Sequence, residues 1–205
     1  MPRPRAGGET ALRSEVEAAE KPFLMCVEDV FQRHQGRMVM LTGRIERGWV
    51  REGDEVEIVS FDGGATATVG DIETSCRRID EASADMNVGL LLPGVAAGGV
   101  WRGQVIAAPG SVSAHVGFTA EISLLSGDRG AAEARTGERL QLHLRAAVVL
   151  GAVAPAQEGD ALQPLHKGLV TVAPDRPVAR EEGQSFAFRH HGRAAGCGIV
   201  TWLML

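Results

Sequence analysis

The sequence predicts an all-β chain: two antiparallel β-barrels packed together, preceded by a short N-terminal arm that is helical or flexible. Three observations carry this expectation. Residues 36–59, GRMVMLTGRIERGWVREGDEVEIV, alternate apolar and polar side chains around a glycine-punctuated middle. Such alternation places every second side chain on one face of a sheet. Breakers recur at Asp62-Gly63-Gly64, Pro93-Gly94, Gly98-Gly99 and Pro109-Gly110-Ser111, and short strands at that spacing read as a sandwich or barrel. Finally, no helical pattern of ten or more residues follows position 21.

Taken in order, residues 1–21 open with Pro, Arg and Gly and then place Leu12, Val16 and Ala19 on one helical face. So few turns make a marginal helix unless they dock. Residues 22–109 are expected to form the first barrel. Within it Val56 and Ile58 alternate with Glu55 and Glu57, and Gly48 and Gly53-Asp54 supply turns through backbone angles that other residues resist. Residues 36–59 read as consecutive antiparallel strands. Asp62-Gly63-Gly64 reads as a hairpin turn between strands at 55–61 and 65–72. The cluster at 109–111 marks the boundary to a second barrel over 110–205, with strands expected at 119–125, 140–145, 169–172, 185–189 and 197–204. In the second of these, Leu140, Leu142 and Leu144 face opposite Gln141, His143 and Arg145.

The composition of the 205 residues, 44% hydrophobic and 23% charged, is that of an ordinary globular chain. No apolar run reaches membrane-spanning length, and the N-terminus lacks a signal-peptide core, so a cytoplasmic location is expected. The odd set Cys26, Cys76 and Cys197 argues against a disulfide framework or a zinc site. A net charge of −5 gives no basic footprint for tracking long phosphate backbones, so DNA is not an expected partner. Any RNA contact should run through a compact pocket with shallow salt dependence. The six histidines are scattered; His190-His191, read as strand neighbours, would point to opposite faces and make a poor metal pair. No nucleophile-elbow sequence or metalloprotease helix is present. Neither a catalytic constellation nor a cofactor or metal site is therefore expected.

Several motifs resemble a known family. Lys21-Pro22-Phe23, Glu28-Asp29-Val30-Phe31, Thr42-Gly43-Arg44-Ile45-Glu46-Arg47-Gly48 and Gly53-Asp54-Glu55-Val56-Glu57-Ile58-Val59 occur in order. They are followed by Asn87-Val88-Gly89-Leu90-Leu91-Leu92, Arg102-Gly103-Gln104-Val105 and, near the end, residues 192–200. This series resembles the second and third domains of bacterial elongation factor Tu, and the resemblance implies two packed barrels. The family's GTPase domain has no counterpart in the sequence. There is no Gly-Lys dipeptide and no Asp-x-x-Gly segment, and the one asparagine, Asn87, precedes Val88. GTP binding by the family's route is thereby excluded from these residues.

The resemblance also implies a site. In the family, the second domain holds the 3′ end of aminoacyl-tRNA. Glu73 matches the glutamate at the terminal adenosine, with Met40 and Leu91 as apolar lining. Phe31, Thr42 and Asn87, with the chain around Glu28 and Asp29, match the aminoacyl side, and Arg139 matches a third-domain arginine near the tRNA stem. Single-stranded RNA ends suit such a pocket because their bases are unstacked and accessible. The sequence departs from the pattern at Arg33 and His34, where a small apolar residue would close the adenine pocket, and at Ser75, often aromatic or His. It departs again over 127–137, which is short and lacks the aromatic, Pro-rich loop.

Two functions follow as expectations. One is a GTPase-free, non-catalytic protein that recognises the aminoacylated 3′ end of tRNA and presents it to, or sequesters it from, another enzyme. The alternative is an interaction module that binds a translation factor or biosynthetic enzyme without touching RNA.

Overall fold

The computed structural model describes residues 20–33, 38–59, 64–75, 77–96, 98–126, 135–155 and 161–204. The expected N-terminal arm up to residue 19, His34, Cys76, the turn residues Asp62-Gly63 and residues 127–134 lie outside the described residues. The described structure is all-β. It divides into two units, one holding residues 1–58 and 65–111 and the other 59–64 and 112–205.

The first unit contains β1 (Leu24–Cys26), β2 (Asp29–Arg33), β3 (Met38–Arg47), β4 (Trp49–Arg51), β5 (Glu55–Val59) and β6 (Ala65–Thr68). It continues through β7 (Asp71–Thr74), β8 (Arg77–Ile79), β9 (Glu81–Ser83), β10 (Asn87–Pro93) and β11 (Val105–Ala107). Nine of these strands make one curled half-barrel sheet in the order β6-β5-β11-β1-β3-β10-β7-β8, with β2 also paired to β3. This sheet does not close on itself among the described residues.

The alternation seen in the sequence sets the faces. Val39, Leu41 and Ile45 of β3, Val56 and Ile58 of β5, Ile72 of β7 and Leu90 and Leu92 of β10 are buried together in one core. Two strand expectations change. β3, β4 and β5 follow one another but do not pair with one another: β3 pairs β1, β2 and β10, while β4 pairs β9 and β5 pairs β6 and β11. The expected strand at 65–72 is two strands, broken at Val69-Gly70, because its halves bond different partners. β6 bonds β5, and β7 bonds β10. At the break the chain passes so near β10 that a Cβ on Gly70 would sit 2.7 Å from the Pro93 ring.

The second unit contains β12 (Ala114–His115), β13 (Gly117–Leu124), β14 (Glu138–Leu144), β15 (Ala147–Pro155), β16 (Lys167–Pro174), β17 (Val178–Ala179), β18 (Ser185–His190) and β19 (Arg193–Met204). Six of them close into an antiparallel barrel in the order β13-β16-β15-β14-β18-β19. Its interior is filled by Phe118, Leu140, Leu142, Val153, Val172, Phe186 and Phe188, among others, with Phe118 and Phe186 edge to face. Gly196 and Gly198 leave room for the Phe188 and Phe186 rings, which a Cβ would meet at 2.4 and 2.7 Å.

β15 is absent from the sequence expectation. Its outward side chains include Val148 and Leu150, both exposed, so the run AVVLGAVAP shows no polar alternation although its burial alternates. The turn before it hides as well: Arg145, expected inside the strand, turns the corner at φ 53. Its guanidinium is tied to Glu181 at 2.9 Å. His190-His191 also differs from expectation. β18 ends at His190, while His191 (φ 47) and Gly192 (φ 77) form the turn. The two rings are therefore not on opposite faces; their centroids are 4.0 Å apart.

Candidate functional site

The outer face of the half-barrel sheet gathers most of the expected site residues. Cross-strand partners share a face, and two rows run across the strands there. One is Asp29–Thr42–Gly89–Glu73–Arg78, across β2, β3, β10, β7 and β8. Next to it runs Phe31–Met40–Leu91–Asp71. The residues between them, Leu41, Leu90 and Ile72, point the other way into the core. Met40 and Leu91 are therefore outer-face residues, although they are only 5% and 9% exposed and neither belongs to the core cluster.

In the first row Gly89 stands between Thr42 and Glu73. Having no side chain, it leaves a trough between theirs. A groove of about 390 Å³ opens there, within the size range of small-ligand sites. It is lined by Glu28, Phe31, Met40, Thr42, Glu73 and Asn87 from the sequence expectation. Five more residues line it: Arg33, Gly43, Ser75, Val88 and Gly89.

Two expected residues do not line it. Leu91 lies one row farther along β10, beside Met40, and is covered. Asp29 is turned toward Arg102, whose Nη1 is 3.9 Å from its carboxylate.

The electrostatics explain why the Glu73 carboxylate is available. Arg78 is its register partner, yet the Arg78 guanidinium hydrogen-bonds Glu52 at 2.7 Å and is ion-paired with Asp71 at 2.5 Å. The Glu52 hydrogen bond, helped by the charge of Asp71, holds the Arg78 pKa above its ordinary value. Its charge is thus committed away from Glu73, and among the described residues no cation pairs with Glu73.

Arg33 brings a positive group in from the opposite wall, with Nη2 3.6 Å from the Met40 sulfur. The groove therefore presents an apolar floor at Met40, an exposed aromatic edge at Phe31, a hydroxyl at Thr42 and an amide at Asn87. A cation and two carboxylates, Arg33, Glu28 and Glu73, surround them. Ser75 enters through a tight turn between β7 and β8 and carries φ 48, a left-handed value uncommon for a residue with a side chain.

Gly43 is required in the middle of β3 by close approach. The chain leaving β1 crosses it so nearly that a Cβ would lie 1.9 Å from the Cys26 carbonyl oxygen. There Glu28 N–H donates to the Thr42 carbonyl at 2.8 Å, which fixes Glu28 at the groove. The sequence signals for this part of the wall are the motifs Thr42-Gly43 and Asn87-Val88-Gly89.

Residues 39–107 match the family model for elongation factor Tu domain 2. That segment is an elongation factor Tu domain 2. It runs from β3 through β11 and contributes Met40, Thr42, Gly43, Glu73, Ser75, Asn87, Val88 and Gly89 to the groove. Phe31 and Arg33 reach the same groove from β2, and Glu28 from the residue before it, all outside the matched segment. A domain 2 suggests a tRNA or translation setting in general terms.

Beyond the domain-2 unit, the six-stranded barrel carries Arg139 on β14. Its guanidinium is ion-paired with Asp175. This arginine is expected near a tRNA stem, and the pairing commits its charge within the barrel.

Proposed function

We propose that the domain-2 groove binds the aminoacylated 3′ end of tRNA without catalysing a reaction on it, presenting it to or withholding it from another enzyme. The observation that carries this reading is the Glu73 carboxylate facing Thr42 across Gly89, with no cation pairing it among the described residues. A carboxylate in that position can accept hydrogen bonds from a base edge or ribose, while Met40 offers apolar surface to the base. Stacking of one base on an aromatic ring is worth about 1–3 kcal/mol, an upper bound for packing on the Met40 thioether, and a charge-assisted hydrogen bond is worth about 1.5–3. Their upper sum of about 6 kcal/mol corresponds to a Kd of tens of micromolar. Binding of this strength suits transient handling of a chain end.

The test is an NMR titration of the protein with an aminoacylated minihelix and with its uncharged counterpart, repeated on Glu73→Gln. The reading expects resonances of groove residues to move, and affinity to fall about fivefold in the variant as a charged acceptor becomes neutral. Unmoved resonances at low salt and high protein concentration would remove it.

A second reading, capture of a translation or biosynthetic protein, is favoured by the outer wall of the closed barrel. There Leu169 and Ile199 flank Glu121 in register and are each about half exposed. Co-purification of a stoichiometric partner whose footprint avoids Glu73 would support it over the RNA reading.

A further inference from the structure

We propose that Glu138, His190 and His191 bind a divalent transition-metal ion, zinc by donor chemistry, at the hairpin end of the closed barrel. The site begins with backbone geometry. A two-residue turn with both φ values positive matches the right-handed twist of a hairpin and favours Asn-Gly. Here the first position is His191 at φ 47, followed by Gly192 at φ 77. The turn folds the His191 ring back beside His190 instead of sending it across the sheet, and the ring centroids are 4.0 Å apart.

Glu138 comes from β14, the strand next to β18 in the barrel. Its Oε1 lies 2.6 Å from His190 Nε2. One donor atom from each of the three residues lies within 4.8 Å of the others. Tetrahedral zinc holds nitrogen and oxygen donors at about 2.0–2.2 Å, and so about 3.3 Å from one another. The Glu138–His190 pair needs to open by roughly 0.7 Å and the widest separation to close by roughly 1.5 Å to reach that spacing. Side-chain rotation supplies both, since His191 is exposed and Glu138 only half-buried, while buried His190 is the fixed wall.

The donor set selects the metal class. Two imidazoles and one carboxylate suit zinc and leave a fourth position for water. Magnesium and calcium want more oxygens than this cluster offers. Arg193, the register partner of His190, is exposed, and its long side chain can extend into solvent.

The competing account is that the Glu138–His190 hydrogen bond merely ties the hairpin and His191 is incidental. His191→Asn separates the two, because Asn-Gly is a favoured pair for this turn and folding should be retained. The experiment titrates zinc into the tag-free full chain by calorimetry and follows cobalt by visible absorption, with His191→Asn and Glu138→Gln alongside. The expected result is one zinc per chain. Loss of a direct ligand should weaken binding by no less than the about 10–100-fold typical of outer-shell changes. Zinc should raise the wild-type melting temperature but not that of His191→Asn. Absence of zinc binding up to millimolar concentration, or wild-type affinity in either variant, overturns the proposal.

Discussion

Gly89→Ala tests the groove most directly, because a single methyl lands between Thr42 and Glu73. A Cβ built at Gly89 lies 3.1 Å from Met40 Sδ, 3.2 Å from Met40 Cγ and 3.6 Å from Thr42 Cγ2. Gly89 is not among the positive-φ glycines, so alanine is compatible with its backbone. At such a site the substitution gains about 0.4–1 kcal/mol by restricting the unfolded chain. Crowding costs about 1–3 kcal/mol in a rigid core, but the neighbour here is the flexible thioether of Met40, which can shift. The net loss of stability should not exceed about 2 kcal/mol.

Binding should suffer as well. The methyl raises the groove floor and displaces the apolar surface on which a base would lie, which should weaken affinity about fivefold, the equivalent of about 1 kcal/mol at the low end of base stacking. Urea unfolding and the minihelix titration measure the two effects separately. A folded Gly89→Ala protein that binds the minihelix as the wild type does would refute the reasoning. Gly43→Ala is the contrasting variant: its Cβ meets the Cys26 carbonyl oxygen at 1.9 Å, and backbone cannot rotate aside. It should lose more than about 3 kcal/mol or fail to fold.

Raising salt from 50 to 200 mM should weaken minihelix binding only about three- to sevenfold, as one or two neutralised phosphates of a single strand require; a loss of several hundredfold would mean a long backbone track instead. Arg139→Ala should leave RNA affinity unchanged, because the guanidinium is already paired with Asp175, and this exposed pair contributes at most about 1 kcal/mol to stability. A marked loss of affinity in that variant would reinstate a stem contact. Leu142→Ala, at a fully buried position of the closed barrel, should cost about 2–5 kcal/mol in thermal or urea unfolding.

Two of the strands that the sequence disclosed, β5 and β14, have polar outward positions. In β5, Glu55 and Glu57 alternate with buried Val56 and Ile58, and in β14 Gln141 and His143 alternate with buried leucines. β15 stayed hidden because Val148 and Leu150 look outward, and polarity then carries no information about burial. The groove was legible only in part, for a related reason. Thr42 and Asn87 announce themselves as polar residues in matched motifs and Glu73 as a single matched position, whereas Asp29 and Leu91 also sit in matched motifs and do not line the groove. Both lie on the outer face, so what excludes them is local: Asp29 turns toward Arg102, and Leu91 is covered one row farther along β10.

Alone, the sequence determined the all-β class and the Gly-rich motifs of a domain 2, because both depend on local rules: alternation along a strand and glycine where backbone must pass closely. Tertiary structure decided what those rules leave open. Only the pairing of β10 with both β3 and β7 sets Gly89 between Thr42 and Glu73, and only the commitment of Arg78 to Glu52 and Asp71 leaves the Glu73 carboxylate without a cation among the described residues. Which partner a strand chooses, and which acid an arginine reaches, depend on atoms brought together from distant parts of the chain. No local pattern encodes them.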